Sequence, residues 1–239
     1  WYGPAMDTHR SAFCGRNFEY YSEDGVLAGY FAAAQVSGVA TNGVYAYMKH
    51  FALNDQETNR LAALMTYSNE QAIREIYLKP FELTIKNCDS TSLAVMSSYN
   101  WIGTEPSCAN SNLLQTVLRD EWGFVGMVIT DYDGGFGYMM ADHCVRNGND
   151  LMLGTYVGTG LNEFTDLSAT SVKAMRQACK NIMYVICNSG NYTVEDPNAG
   201  GLNRMDTMFI AIDAITAVIT IGLGVYITLR CFKKSKRAE

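Results

Sequence analysis

Residues 123–135 read GFVGMVITDYDGG, an apolar run that leads into two carboxylates and then into two glycines. The run GMVITDY (126–132), with its apolar centre at Met127 to Ile129, has the composition of a buried strand. A charge at the end of such a strand is costly unless it is paired or used. Asp131 is therefore a candidate for chemistry, and a cap or the first polar residue of a loop is the alternative reading.

Short apolar runs of the same kind recur on both sides of this stretch. GVYAYMKHF (43–51), SLAVMSSYN (92–100) and NDLMLG (149–154) also have the composition of buried strands. Apolar residues at helical spacing separate or follow these runs, in segments 69–87, 110–123 and 168–190. Asn69 suits a helix start, with Gln71 and Glu75 in the first turns. Strands that are apolar on both faces and alternate with helices predict a parallel α/β sheet.

Polar or ionisable residues stand at the ends of several predicted strands. Lys49 and His50 close the first run, Tyr99 and Asn100 close the second, and Asp131 closes the third. A (β/α)8 barrel places its functional side chains at the carboxyl ends of its strands in this way. A doubly wound sheet could do the same, but the chain has no glycine-rich phosphate loop after a first strand.

Composition limits the possible partners. The 239 residues carry a net charge of -6, and the segment from Arg230 onward holds five Lys/Arg and one Glu, so residues 1–229 carry -10. An acidic body disfavours nucleic-acid binding and is compatible with a neutral substrate such as a carbohydrate. Seven cysteines without a CxxC pair, together with three histidines, disfavour a zinc site and suggest buried free thiols.

The C-terminal end predicts a membrane anchor. Met208 to Leu229 is a 22-residue stretch with one charge, Asp213, and as a helix it would be about 33 Å long. The basic sequence RCFKKSKR follows directly, which favours a cytoplasmic C-terminus with residues 1–205 on the extracellular side of the cell membrane. A buried core helix is the alternative. The polar segment 188–204 is typical of a linker.

Six blocks in the body resemble the barrel domain of glycoside hydrolase family 3, of the β-glucosidase type. They occur in family order over roughly residues 3–190, and they are GPAMDTHRSAFCGRNFEYYSED (3–24), MKHFALNDQETNR (48–60), REIYLKPFE (74–82), VMSSYN (95–100), LLQTVLRDEWGFVGMVITDYDGG (113–135) and NGNDLML (147–153). The resemblance implies a partial (β/α)8 TIM barrel that lacks its first strands. The implied organisation is a barrel domain at 1–190, a linker at 191–205, a single transmembrane helix at 206–230 and a basic cytoplasmic tail at 231–239.

The resemblance also implies roles for individual residues. Asp131 corresponds to the catalytic nucleophile, and Tyr132 stands where the family usually has Trp as an aromatic wall of the sugar pocket. The residues implied to bind the sugar are Arg16, Lys49, His50, Met96, Tyr99 and Tyr132. Ordinary structural roles remain open: a surface ion pair of Arg16 with Glu19 or Glu23, a core position for His50, and packing for Met96 and Tyr99. Asp133 is a second-ranked nucleophile in the glycine-rich loop.

Other charged residues within these blocks look structural, as ion-pairing or helix-positioning side chains. They are Glu57, Arg60, Arg74 and Glu75.

The expected function is a retaining, exo-acting β-glycosidase, most simply a β-glucosidase acting on a terminal β-linked sugar of an oligosaccharide or β-glucoside. Retaining hydrolysis needs a second carboxyl group as acid/base, and it requires no metal or other cofactor. The segment ALNDQETNR lacks the histidine that one branch of the family uses, so an upstream α/β domain of a permuted protein is expected to supply the acid/base. The alternative is a non-catalytic, membrane-tethered sugar-binding relative.

Overall fold

The structure is a computed structural model that describes residues 1–91, 93–134, 137–154, 166–190 and 204–235. The chain divides into two compact units, Trp1–Val194 and Glu195–Glu239. The strands, in chain order, are β1 Ala46–Phe51, β2 Met65–Thr66, β3 Leu93–Ser97, β4 Trp101–Ile102, β5 Glu105–Pro106, β6 Met127–Asp133 and β7 Leu151–Gly154.

The first unit is built around a parallel sheet with the order β1-β3-β6-β7, in which each neighbouring pair is parallel. These are the four strands that the apolar runs predict. A small sheet of β2, β4 and β5 lies apart from it and was not expected. Parallel strands that follow one another in chain order, with helices between them, form a TIM-barrel-like α/β fold.

Helices connect the strands. The α-helices are α1 Gly25–Ala40, α2 Glu70–Ala72, α3 Lys79–Asn87, α4 Ala141–Arg146, α5 Ala169–Cys187 and α6 Arg204–Ser235. Two π-helical segments, π1 Ile73–Tyr77 and π2 Asn112–Glu121, complete the helical regions that the spacing predicts. The Asn69 side chain caps α2 by accepting a hydrogen bond from the Ala72 N–H at 2.8 Å, as expected for a helix start.

Both faces of the sheet are covered by apolar side chains. One face carries Met48, Val95 and Val128, which belong to a buried cluster with residues of α1, α3 and π2. The opposite face carries a second cluster of Tyr47, Ala94, Met96, Met127 and Ile129, and Val185 of α5 packs into it. Burial on both faces explains why the strands read as continuous apolar runs.

The helix α1 has no counterpart among the sequence expectations. Its residues GVLAGYFAAAQVSGVA are small or apolar almost throughout, so they show no clear polar face. Asp24 begins the helix by accepting hydrogen bonds from the Val26 and Leu27 N–H groups. A Cβ added to Gly29 would lie 2.7 Å from the Leu83 Cβ, so glycine permits the close approach of α1 and α3.

The strand that carries Asp131 is longer than expected. β6 continues to Asp133, one residue beyond the expected strand at 126–132. Asp133 is consequently held in the strand with 2% of its surface exposed, and its predicted place in a glycine-rich loop is wrong. The pairing with β7 at Asp133 and Gly154 accounts for the extension.

The prediction that the thiols are buried is correct for only some of the cysteines. Cys14, Cys108 and Cys144 are buried, and Cys88 is half-buried. Cys179 and Cys187 are exposed on α5, because an amphipathic helix leaves one side in solvent. All six are free thiols.

The second unit contains α6. Thr207–Arg230 within this helix is long and apolar enough to cross a membrane, judged by length and composition. Residues 191–203 of the expected linker at 191–205 lie outside the described residues, as do the last residues of the tail, 236–239. The last two residues of the expected linker, Arg204 and Met205, begin α6 instead.

Candidate active site

Irregular strand pairing surrounds the residues that the sequence singles out. The register of β1 against β3 shifts next to Lys49 and His50, and the register of β6 against β7 shifts next to Asp131. Such bulges turn a side chain away from the regular alternation of a strand. The two shifts lie on strands separated by β3, near the carboxyl ends of both.

Asp131 faces His50 across a short gap. The Asp131 residue is only 9% exposed, and its Oδ1 accepts a hydrogen bond from the Tyr132 N–H at 2.7 Å. Its buried Oδ2 has no hydrogen-bond partner among the described residues. The His50 Nε2 lies 3.8 Å from this oxygen, which is too far for a hydrogen bond. A ligand hydroxyl that lies to one side of the line joining these two atoms, about 2.8 Å from each, could bind both.

His50 is fixed on its other side by Asp7. The imidazole is 1% exposed, and its Nδ1 lies 2.9 Å from the Asp7 Oδ2. The same oxygen accepts the His50 backbone N–H at 2.9 Å. The Tyr20 ring packs edge-on against the imidazole, with ring centroids 6.5 Å apart. Burial raises the pKa of the Tyr20 hydroxyl, so this side chain is neutral.

The two expected sugar-binding cations share one carboxylate. Arg16 donates to Glu19 through its Nε, and the Lys49 Nζ lies 3.2 Å from the Glu19 Oε2. Burial raises the pKa of Glu19, but hydrogen bonds and charge from Arg16 and Lys49 outweigh burial and hold the pKa below its ordinary value. Glu19 is therefore ionised and links the two cations.

A second carboxylate extends this cluster. The Glu57 Oε1 lies 3.8 Å from the Arg16 Nη1, and the Glu57 Oε2 lies 2.8 Å from the Arg60 Nη1. The Arg60 guanidinium stands over the Tyr99 ring, 5.0 Å from its centroid. The ion-pairing role expected for Glu57 and Arg60 is thus confirmed, and it connects the expected cations to the expected aromatic pocket residue.

The aromatic residues expected in the pocket lie beside Asp131. The Tyr99 hydroxyl donates to the Tyr132 backbone carbonyl at 2.6 Å, and 38% of Tyr132 is exposed. Burial, and then the negative charge of Asp131, raise the pKa of Tyr99, which remains a donor. Met96 is 3% exposed within the second apolar cluster, so its described contacts are those of a core residue.

Asp7 went without a role in the sequence reasoning, and Glu19 was considered there only as a surface ion-pair partner of Arg16. Asp7 lies 43 residues before His50, and no spacing rule connects them. Glu19 stands three residues after Arg16, a separation at which an ion pair forms across one helical turn. That spacing was the available signal for Glu19.

Arg74 and Glu75, the other two charged residues expected to be structural, form ion pairs or hydrogen bonds with side chains other than those described around Asp131. Arg74 binds Glu70 at 2.9 Å and Glu121 at 2.6 Å, and Glu75 accepts from Gln71 at 3.2 Å. Within the described part of the chain, no group of three or more His, Cys, Asp or Glu side chains could hold a metal ion.

Comparison with known sequences places this arrangement in a family. The family model described as the glycosyl hydrolase family 3 N terminal domain matches residues 1–153. Beta-glucosidase A of Butyrivibrio fibrisolvens is 44% identical over 177 residues, which is 74% of this chain and 21% of that protein. Beta-glucosidase B of Emericella nidulans is 47% identical over 131 residues, which is 55% of this chain and 15% of that protein.

Solved structures agree with the sequence match. Beta-glucosidase 3B from Thermotoga neapolitana, in complex with glucose, superposes with a TM-score of 0.69 and 36% identity over 80% of this chain and 27% of that one. The chain spans about a fifth of the length of the Butyrivibrio relative. The family match covers more than half of the chain, and all of the site residues named above lie within it. This protein belongs to glycosyl hydrolase family 3.

Proposed function

We propose that the site holds the terminal sugar of a β-glucoside and that Asp131 is the nucleophile of a retaining β-glycosidase. The observation that carries the proposal is the Asp131 Oδ2, a buried carboxylate oxygen without a hydrogen-bond partner among the described residues, 3.8 Å from the His50 Nε2. A buried oxygen of this kind is costly unless a ligand uses it. The similarity to a structure in complex with glucose supports a glucosyl unit as the ligand.

The expected chemistry begins with attack of the Asp131 carboxylate on the anomeric carbon, which forms a glycosyl ester and breaks the bond to the leaving oxygen. Water then hydrolyses the ester, so the configuration is retained. Arg16 and Lys49 would donate hydrogen bonds to hydroxyls of the sugar, His50 would bind a hydroxyl through its Nε2, and Tyr132 would present its exposed ring to the pocket.

The acid/base of this reaction is proposed to come from outside this chain. Three carboxylates near Asp131 are paired with other side chains: Asp7 with His50, and Glu19 and Glu57 with arginine and lysine side chains. An ionised, paired carboxylate is a poor proton donor. A second α/β domain of the same protein, in a permuted order, would supply the acid, and further strands would complete an eight-stranded barrel.

Membrane attachment through α6 is part of the same proposal. Thr207–Arg230 spans 24 residues, about 36 Å as a helix, which exceeds a hydrocarbon core of about 30 Å. Lys and Arg residues after position 229 favour a cytoplasmic C-terminus, with the sugar site on the extracellular side. Extraction of the protein from membranes by alkaline carbonate, without detergent, would contradict the anchor.

Hydrolysis of an aryl β-glucoside by the product of the complete gene tests the catalytic proposal. Asp131→Asn is expected to lower kcat on the order of 10⁴-fold or more, because it removes the nucleophile. Asp133→Asn is the matched control, since Asp133 lies on the same strand and is also buried. NMR of the first-formed product should show the β anomer. Full activity of Asp131→Asn, or an α product, would refute the proposed mechanism.

A sugar-binding protein without hydrolytic activity is the second candidate. The engagement of Asp7, Glu19 and Glu57 in ion pairs favours it, since paired carboxylates are poor proton donors. This candidate predicts that glucose binds and that no aryl glucoside is hydrolysed, even by the product of the complete gene.

A further inference from the structure

Asp7 takes part in three hydrogen bonds while it is almost fully buried. The Asp7 residue is 3% exposed, and its Oδ2 contacts the backbone N–H and the Nδ1 of His50, each at 2.9 Å. Its Oδ1 accepts the Asn54 N–H at 3.2 Å. The backbone partners can only donate. Asp7 is therefore an acceptor on both oxygens, as an ionised carboxylate is.

This arrangement determines where His50 carries its proton. A bare Nδ1 would set its lone pair against the lone pairs of the Asp7 Oδ2 at 2.9 Å, so the hydrogen of this pair belongs to the Nδ1. The other ring nitrogen, Nε2, is then directed toward the Asp131 Oδ2 at 3.8 Å. The hydrogen bond at Nδ1 therefore fixes the orientation of the imidazole ring and also determines which group Nε2 faces.

We propose that Asp7 is a positioning residue that holds the proton of His50 on Nδ1 and so presents Nε2 to the sugar and to Asp131. The part that concerns the sugar rests on the function proposed above, whereas the protonation of the ring does not. Asp7 acts through His50, because its own oxygens are occupied by the three N–H groups.

A neighbouring carboxylate gives a closely matched control. Asp55 is 4% exposed and forms an ion pair with Arg10, so it joins the same two segments of chain that the Asp7–His50 pair joins. No described hydrogen bond or ion pair connects Asp55 with His50. The loss of Asp55 therefore weakens the junction between the segments without changing the acceptor on the imidazole.

The test is a long-range ¹H–¹⁵N correlation spectrum of the uniformly ¹⁵N-labelled 239-residue chain in detergent micelles, which reports which ring nitrogen carries hydrogen. The chain has only three histidines, so the spectrum is simple. His9 is an internal reference, because its Nε2 lies 2.9 Å from the Asn17 carbonyl and must donate to it. The expected result is hydrogen on Nδ1 for His50 and on Nε2 for His9.

Three variants separate positioning from stability. Asp7→Ala should move the hydrogen of His50 to Nε2 in part or wholly, and should weaken glucose binding about 10-fold or more. Asp7→Asn should keep the hydrogen on Nδ1, because its amide oxygen faces the two His50 donors, but the Nδ1 proton resonance should move upfield, since a neutral acceptor binds less strongly. Asp55→Ala should change neither the Nδ1 proton resonance of His50 nor the affinity for glucose.

Each outcome has a distinct meaning. A bare Nδ1 in the unmodified chain, or an unchanged Nδ1 proton resonance in Asp7→Asn, would overturn the role of Asp7, and the second result applies even if Asp7→Ala does not fold. A shift of equal size in Asp55→Ala would also overturn it. If glucose fails to bind to the unmodified chain while the Nδ1 hydrogen is present, the proposed function fails and the positioning of His50 stands.

Discussion

Arg119 forms hydrogen bonds to the residues just before β6 and just before β7. Its replacement should lower the free energy of unfolding by an amount that depends on pH. The Arg119 Nη1 donates to the Gly126 carbonyl at 2.9 Å, just before β6. Its Nη2 donates to the Gly148 carbonyl at 3.3 Å and to the Asp150 Oδ2 at 2.8 Å, just before β7. The same Asp150 oxygen accepts the Val128 N–H at 2.7 Å.

The expected cost follows from burial. The side chains of Arg119 and Asp150 are 11% and 3% exposed, so Arg119→Met would leave a buried carboxylate without its cation. The loss of one partner of a buried ion pair costs about 3–5 kcal/mol of unfolding free energy. That cost should apply at pH 8, where Asp150 is ionised.

The cost should become smaller in acid. Burial raises the pKa of Asp150 to about 6, which outweighs the charge of Arg119. The folded protein thus holds this proton more tightly than the unfolded chain does, and the contribution of Asp150 to stability falls as pH rises through this range. Without the positive charge of Arg119, the pKa of Asp150 in the folded protein is higher still. At pH 5 the variant carries a protonated Asp150, and its cost should fall to about 1–2 kcal/mol, the value of lost hydrogen bonds.

Urea unfolding at pH 5 and pH 8 measures both values. Trp122 fluorescence is a suitable probe, since its ring packs 5.9 Å from the Phe51 ring in the core. Arg146→Met is the matched control: Arg146 binds Asp142 at the surface, where an ion pair contributes less than about 1 kcal/mol. Equal costs of Arg119→Met at the two pH values, or a cost below about 1 kcal/mol at pH 8, would refute the reasoning.

Three further predictions use the same preparations. Gly126→Ala should prevent stable folding, because the added Cβ would overlap the Leu93 carbonyl and push β3 away from β6. Gly38→Ala in α1 is the control: its Cβ would enter open space, and the change should be neutral or stabilise the protein by up to about 1 kcal/mol. Solubility and the midpoints of urea unfolding compare the two variants. Glu19→Gln should weaken glucose binding about 10-fold in a calorimetric titration, because the carboxylate that joins the two cations loses its charge; unchanged affinity would contradict this. Met96→Ala should cost about 2–5 kcal/mol in urea and leave glucose affinity unchanged; weaker binding by the folded variant would instead favour a contact with the sugar.

The sequence predicted the parts of the fold that depend on local pattern. The four strands of the main sheet were visible because strands buried on both faces are continuous apolar runs. The helix α1 was not predicted, since alanine and glycine do not mark a polar side. The extension of β6 to Asp133 was missed because it depends on pairing with β7, which is a contact between distant parts of the chain.

The candidate site was predicted to a similar extent. Motif order singled out Asp131 and His50, and the structure brings these two together at 3.8 Å. The supporting carboxylate Asp7 was not assigned a role, because its relation to His50 arises only when two segments meet in the folded chain. Met96 lies on the face of β3 that packs on α5, and the alternation of side chains along a strand does not distinguish a core position from a pocket position.

The nucleophile can be identified directly by trapping it. An activated 2-deoxy-2-fluoro-β-glucoside should form a slowly hydrolysed ester with the product of the complete gene, and mass spectrometry of proteolytic peptides locates the added sugar. We expect one glycosyl unit, attached to Asp131. Attachment to Asp133, or steady hydrolysis of β-glucosides with no labelled peptide, would contradict the assignment of the nucleophile.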